Sequence, residues 1–149
     1  MKIDLWEHPA RIKCITTNGT VLKNGNGVMG RGCALEALQK WPFLKKVLGE
    51  KIRASGNHCQ ILAEVDGVRL IMFPVKHQYW EDADIELIKR SCVELTEMSK
   101  RWRDDGTWKS FGREILLPRP GCGNGRLSWE NVKPEIEGLL PESVIIVYR

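Results

Sequence analysis

The sequence predicts a layered α/β domain on a mixed sheet, and three observations carry that prediction. Strand-like and helix-like segments alternate from one end of the chain to the other, the pattern that packs helices against a sheet. Asp66-Gly67 separates two apolar runs; Asp-Gly is a two-residue hairpin signal, so at least one strand pair is antiparallel. Val144-Ile145-Ile146-Val147 is a continuous apolar run of strand length and reads as a closing strand.

The elements follow in order. Residues 3–6 read as a short edge strand. Residues 11–17 alternate, with Ile12, Cys14 and Thr16 on one side, and read as a strand. Residues 18–32 form a long loop with five glycines. A helix covers residues 33–41, and Pro42, whose fixed φ suits a first helical position, opens a second one running to Ser55. Residues 59–65 and 68–73 are the strands of the hairpin, and residues 74–82 a loop. Ile85, Ile88, Cys92, Leu95, Met98 and Trp102 recur at spacings of three and four, the apolar stripe of a long amphipathic helix. Residues 114–117 form a buried strand and residues 118–127 a second Gly/Pro-rich loop. Ser128 caps a helix that buries Trp129, Val132, Ile136 and Leu139 or Leu140. Residues 143–148 close the sheet. The expectation is five or six strands and four helices.

Composition narrows the class. A chain of 149 residues suffices for one domain with its own core and is too short for two ordinary ones, so residues 1–149 are expected to form a single domain. The apolar runs are too short to span a bilayer, and Met1-Lys2-Ile3-Asp4 opens no secretory signal, so no membrane role is expected. The five cysteines are odd in number and contain no CxxC pair, which argues against a disulfide framework or a metal site and for a reducing cytoplasm. The net charge of +4 is modest and spread along the chain, so charge alone does not specify a nucleic-acid partner.

Two glycine-rich loops carry the chemistry. One is Gly25-Asn26-Gly27-Val28-Met29-Gly30-Arg31-Gly32; the other is Pro118-Arg119-Pro120-Gly121-Cys122-Gly123-Asn124-Gly125-Arg126. Each lies between a strand and a helix. Glycine lets backbone N–H groups approach an anion, and a helix N-terminus adds unpaired donors. Beyond the carboxyl ends of the strands, two such loops cradle a phosphate or diphosphate. The alternative is a pair of ordinary glycine-rich turns. Neither loop is a Walker motif, and neither has the spacing of a dinucleotide fold.

Asn18, Gly27-Val28-Met29-Gly30-Arg31-Gly32-Cys33-Ala34, Leu117-Pro118-Arg119-Pro120-Gly121-Cys122-Gly123 and Leu127-Ser128-Trp129-Glu130-Asn131-Val132 resemble macrodomains. The resemblance covers nearly the whole chain. It is nearest to the subgroup holding the terminal ADP-ribose glycohydrolase of glutamate-linked ADP-ribose and the antitoxin macrodomains that remove ADP-ribose from thymidine in DNA. It implies a three-layer α/β/α macrodomain with a central mixed sheet, no cofactor, a monomer, and ADP-ribose or ADP-ribosylated DNA or protein as partner. It also implies site residues. Asp4 would accept from the adenine amino group, with Ile3 in place of the usual preceding glycine, and Leu5 would offer its N–H to the ring. Asn18, Gly27, Val28, Met29, Gly30, Gly32 and Cys33 would wrap the distal ribose and diphosphate. Pro118, Gly121, Cys122, Gly123, Asn124, Gly125 and Arg126 would form the second phosphate loop, and Tyr148 would lie against adenine.

Lys76, in Phe73-Pro74-Val75-Lys76, matches the strand end that carries the catalytic lysine of this subgroup. Its amine would attack the anomeric carbon or stabilise charge as the glycosidic bond breaks, and burial would favour the nucleophilic role. The glutamate-specific enzyme has an aspartate where this chain has Gly125, whereas the thymidine-specific type tolerates glycine there. Thymidine in DNA is therefore the first expected target and a protein carboxylate the second. A module that binds ADP-ribose without chemistry, or a phosphatase acting on ADP-ribose 1″-phosphate, are the alternatives. His77 is expected to order its loop and Cys122 to pack rather than react; Trp80 is expected to be a loop anchor like most of the tryptophans, with walling the pocket or stacking on a base as the alternative.

Overall fold

The computed structural model describes residues 1–149. Strand β1 (Ile12–Asn18) is followed by helices α1 (Gly32–Lys40) and α2 (Leu44–Ser55), the hairpin β2 (Gln60–Val65) and β3 (Val68–Lys76), and the long helix α3 (Ile85–Asp104). Helix α4 (Thr107–Phe111), strand β4 (Ile115–Pro118), a 3₁₀ turn (Gly123–Gly125), helix α5 (Trp129–Ile136) and strand β5 (Val144–Val147) complete the chain. The sheet order is β2-β3-β1-β4-β5; β2 is antiparallel to β3, and β3, β1, β4 and β5 run parallel. No helix is long and apolar enough to cross a membrane.

Period-two alternation divides the core into two layers. Ile12, Cys14, Ile71, Phe73, Val75, Ile115 and Leu117 pack on one face with Ile88, Cys92, Leu95, Met98 and Trp102 of α3 and Val132 and Ile136 of α5. Ile15, Leu62, Leu70, Met72, Leu116 and Val147 pack on the other with Ala34 and Ala37 of α1 and Leu44 and Leu48 of α2. The result is the three-layer α/β/α arrangement. The stripe expected on α3 is the buried one, and Ser128 caps α5 by accepting from the Asn131 N–H.

Four expectations change. Residues 3–6 are not a strand: Asp4 folds its carboxylate back to the Trp6 N–H at 2.8 Å and its carbonyl accepts from Glu7, making a turn, so the sixth strand shrinks to a parallel bridge between Lys2 and Tyr148. The second helix begins at Leu44 rather than Pro42. Strand β3 continues through Pro74 to Lys76. Its partner β2 begins opposite Met72, so Pro74 stands where no ladder donor is required on that side. Helix α4, five residues long, is too short to show a helical period in sequence. Arg69 holds it, with its guanidinium 4.6 Å from the Phe111 ring centroid and a 3.0 Å bond to Thr107 Oγ1.

Lys13 is the one lysine buried in the sheet. Its Nζ donates to the carbonyls of Leu5 at 2.5 Å and His8 at 2.6 Å, and burial lowers its pKa, partly opposed by Asp4. The amine thus ties the turn after the N-terminus to the central strand. Lys13→Met is expected to lower stability by about 1–3 kcal/mol, read by urea unfolding, because two carbonyls lose their donor.

Candidate functional site

The topology creates a crevice. β1 lies at the centre of the sheet; the chain leaves it for α1 on one face and leaves neighbouring β4 for α5 on the other. Loops that diverge from adjacent parallel strands open a cleft beyond their carboxyl ends. A cleft of about 980 Å³ lies there. It is lined by Lys76 and by the expected residues Leu5, Asn18, Val28, Met29, Gly30, Gly32, Cys33, Pro118, Gly121, Cys122, Gly123, Asn124, Gly125, Arg126 and Tyr148. Two expected residues, Gly27 and Asp4, do not line it.

The first loop is shaped by Asn18. Its amide donates to the Val28 carbonyl at 3.0 Å and its Oδ1 accepts from the Thr20 N–H at 3.0 Å, drawing residues 20–28 over the strand end. Gly27 is behind this loop: its N–H donates to the Lys45 carbonyl of α2, and a Cβ there would come within 2.6 Å of Leu48. It needs to be glycine for packing on α2. The loop delivers the chain to α1, which no side chain caps, whereas Asp84 and Ser128 cap α3 and α5. Gly32, Cys33 and Ala34 of its first turn line the cleft, so the helix presents unpaired N–H groups and the positive end of its dipole to that wall.

The second loop meets the first. Gly32 has φ +58, and a Cβ on it would touch the Asn124 amide at 3.4 Å. Gly125 packs against the residues after Lys76: its carbonyl accepts from the Ala83 N–H at 2.9 Å, and a Cβ would come within 2.9 Å of Ala83 Cβ. No carboxylate fits at this position without moving the loop. Gly125→Asp is expected to destabilise the fold by about 1–3 kcal/mol in urea unfolding. The thiols of Cys33 and Cys122 are both pushed up by burial, that of Cys122 against the opposing charge of Arg119, which disfavours their thiolate forms.

At one end of the cleft stand Leu5, Tyr148 and Arg149. The Leu5 N–H donates to no group of the chain. The Asp4 carboxylate is engaged elsewhere: the Trp6 N–H first, and Arg149 after it, hold its pKa below the usual carboxylate range. Arg149 Nη2 lies 2.8 Å from Asp4 Oδ2 and 2.5 Å from Glu36 Oε2, so Arg149 and Glu36, rather than Asp4, reach the cleft wall.

At the other end is Lys76. Its Cα is in register with Asn18 across β1 and β3, and its Nζ donates to the Tyr79 carbonyl at 3.4 Å in an exposed position. The side chain is half-buried at the strand end. Asn57 braces the same strand end by donating to the Lys76 carbonyl. His77 orders the loop as expected: it bonds Asp84 at 2.8 Å and holds the Asp84 carboxyl below its ordinary pKa, with the Glu86 N–H assisting. Tyr79 and Trp80 form an edge-to-face pair at 5.1 Å on the cleft rim, Trp80 with 67% of its surface exposed. Asp82 joins Arg126 across the two loops at 3.6 Å.

Sequence reasoning missed Glu36, Arg119 and Arg149. Glu36 is on a helix face with no motif, and Arg149 follows the strand that carries Tyr148. Arg119 stood inside the second loop motif without a role.

No protein-family model matches the sequence, and no curated protein does. Solved structures do. The macrodomain of Mycobacterium tuberculosis DarG superposes with TM-score 0.77 at 18% identity, covering 100% of this chain and 95% of that one. The macrodomain of Thermus aquaticus DarG gives 0.75 at 23% identity, with 99% and 95% covered. Thermosipho africanus DarTG in complex with ADP-ribose gives 0.69 at 20% identity over 97% of this chain, which spans 39% of that longer protein. With these superpositions running over nearly its whole length, the chain has the macrodomain fold.

Proposed function

We propose that the cleft binds ADP-ribose and that the protein, as one domain over residues 1–149, hydrolyses an ADP-ribosyl linkage, first on thymidine in DNA and second on a protein carboxylate. The observation that carries this reading is convergence. The uncapped N-terminus of α1, the second glycine loop and Lys76 line one cleft large enough for a dinucleotide-sized ligand. The ADP-ribose held by the similarly folded Thermosipho africanus DarTG supports the ligand. In this reading the diphosphate lies between residues 30–34 and 121–126, the base lies at Leu5 and Tyr148, and the distal ribose lies toward Lys76. Water bonds to the anomeric carbon as the glycosidic bond breaks and the leaving atom takes up a proton. Lys76 acts by stabilising the charge on the departing atom.

The test is release of free ADP-ribose from single-stranded DNA carrying it on thymidine, beside a peptide carrying it on glutamate. Release from DNA supports the reading, and release from the peptide alone moves the target to protein. A second reading, a module that binds without chemistry, draws on Gly125: its contact with Ala83 leaves the second loop no acid. ADP-ribose binding without release from either substrate selects that module. Absence of both overturns the ligand assignment.

A further inference from the structure

Five cationic side chains line the cleft, namely Arg31, Lys76, Arg119, Arg126 and Arg149, and four of them are accounted for. Arg126 pairs with Asp82, Arg149 with Asp4 and Glu36, Lys76 donates to a carbonyl, and Arg31 is exposed to water. Arg119 differs. It is half-buried, has no carboxylate or carbonyl partner, and its Nε is buried without an acceptor. Its guanidinium lies 3.7 Å from the Tyr148 ring centroid and 5.2 Å from that of Trp129. The two rings supply cation–π attraction, but they accept no in-plane hydrogen bond. A half-buried guanidinium without a carboxylate or carbonyl partner, at the wall of a cleft, is matched by an anion.

We infer that Arg119 is an anion-binding residue of the cleft that engages the phosphate nearer the base of a nucleoside 5′-phosphate ligand. The position follows from the stack: Tyr148 and Leu5 mark the base end, and Arg119 leaves β4 beside Tyr148 at the start of the second glycine loop. Backbone N–H groups alone would hold the diphosphate without fixing its register along the cleft. A rigid guanidinium fixes which phosphate sits beneath the base, and so sets how far the distal ribose reaches toward Lys76. This inference rests on reading the cleft as a nucleotide site.

The experiment is calorimetric titration of wild type, Arg119→Gln and Arg119→Lys with ADP-ribose, AMP and adenosine, with thermal unfolding of each variant. Arg119→Gln is expected to weaken ADP-ribose and AMP by roughly 10- to 100-fold and to leave adenosine unchanged. Arg119→Lys is expected to recover part of the AMP affinity through its charge. A loss of equal factor for adenosine would show that Arg119 only shapes Tyr148, and would overturn the inference; so would unchanged affinity for ADP-ribose and AMP. A wild-type protein that binds AMP as tightly as ADP-ribose sinks the ADP-ribose reading while leaving the Arg119 result interpretable. A wild type that binds neither nucleotide overturns both.

Discussion

Lys76→Ala is expected to reduce release of ADP-ribose by at least about 100-fold while ADP-ribose affinity stays within about 3-fold. The split follows from position. Lys76 is at the end of β3, beside Asn18 and remote from Leu5 and Tyr148, so it meets the distal ribose and the bond to be broken rather than the groups that anchor the nucleotide. Its amine makes one long bond to the Tyr79 carbonyl, so its removal leaves no buried partner unsatisfied and the fold is expected to keep its stability. Single-turnover release and calorimetry on the same preparation check both halves. A parallel fall in affinity and turnover would assign Lys76 to binding.

Gly49→Ala is expected to destabilise the protein by about 3 kcal/mol or more and to weaken ligand binding with it. Glycine to alanine inside an exposed helix ordinarily stabilises by up to about 1 kcal/mol, so the sign itself is diagnostic. Gly49 is inside α2, where a Cβ would stand 1.8 Å from the Gly25 carbonyl oxygen, a contact with backbone that no rotamer relieves. The first glycine loop rests on α2 here and through the bond from Gly27 N–H to the Lys45 carbonyl. Lifting it off α2 displaces Val28 to Gly32, the segment that leads into the uncapped end of α1. Urea unfolding reads the first effect and ADP-ribose titration the second. Gly49→Ala with unchanged or raised stability would show that the loop is not held by this contact.

These cases show what was legible in the sequence. Features with a local period or a local steric demand could be read: the stripe of α3, the Asp66-Gly67 turn, the Ser128 cap and the two glycine loops. Features decided by distant partners could not. Asp4 reads as part of an edge strand, but its own side chain outcompetes the ladder by bonding the Trp6 N–H. Pro74 looked like a strand terminator, and the strand passed through it because β2 ends its pairing at Met72. Gly27 shared the pattern of its loop and turned out to serve packing on Leu48, while Gly49, carrying no motif, has the tightest steric demand of all the glycines. Within the cleft, the two glycine-rich loops that line it were readable from glycine spacing. The charged groups were not, because Glu36, Arg119 and Arg149 come to line one cleft only after the sheet assembles.

The most direct measurement is an amide NMR titration of the wild-type protein with ADP-ribose. The account predicts saturable shifts concentrated at Leu5, at residues 30–34, at residues 121–126 and at Tyr148, with weaker shifts near Lys76. A second hollow, of about 500 Å³ and lined by Lys100, Arg103, Trp108 and Arg113, gives the internal control. Shifts confined to those residues, or no saturable shift anywhere, would contradict the assignment of the cleft beyond β1 and β4 as the ADP-ribose site.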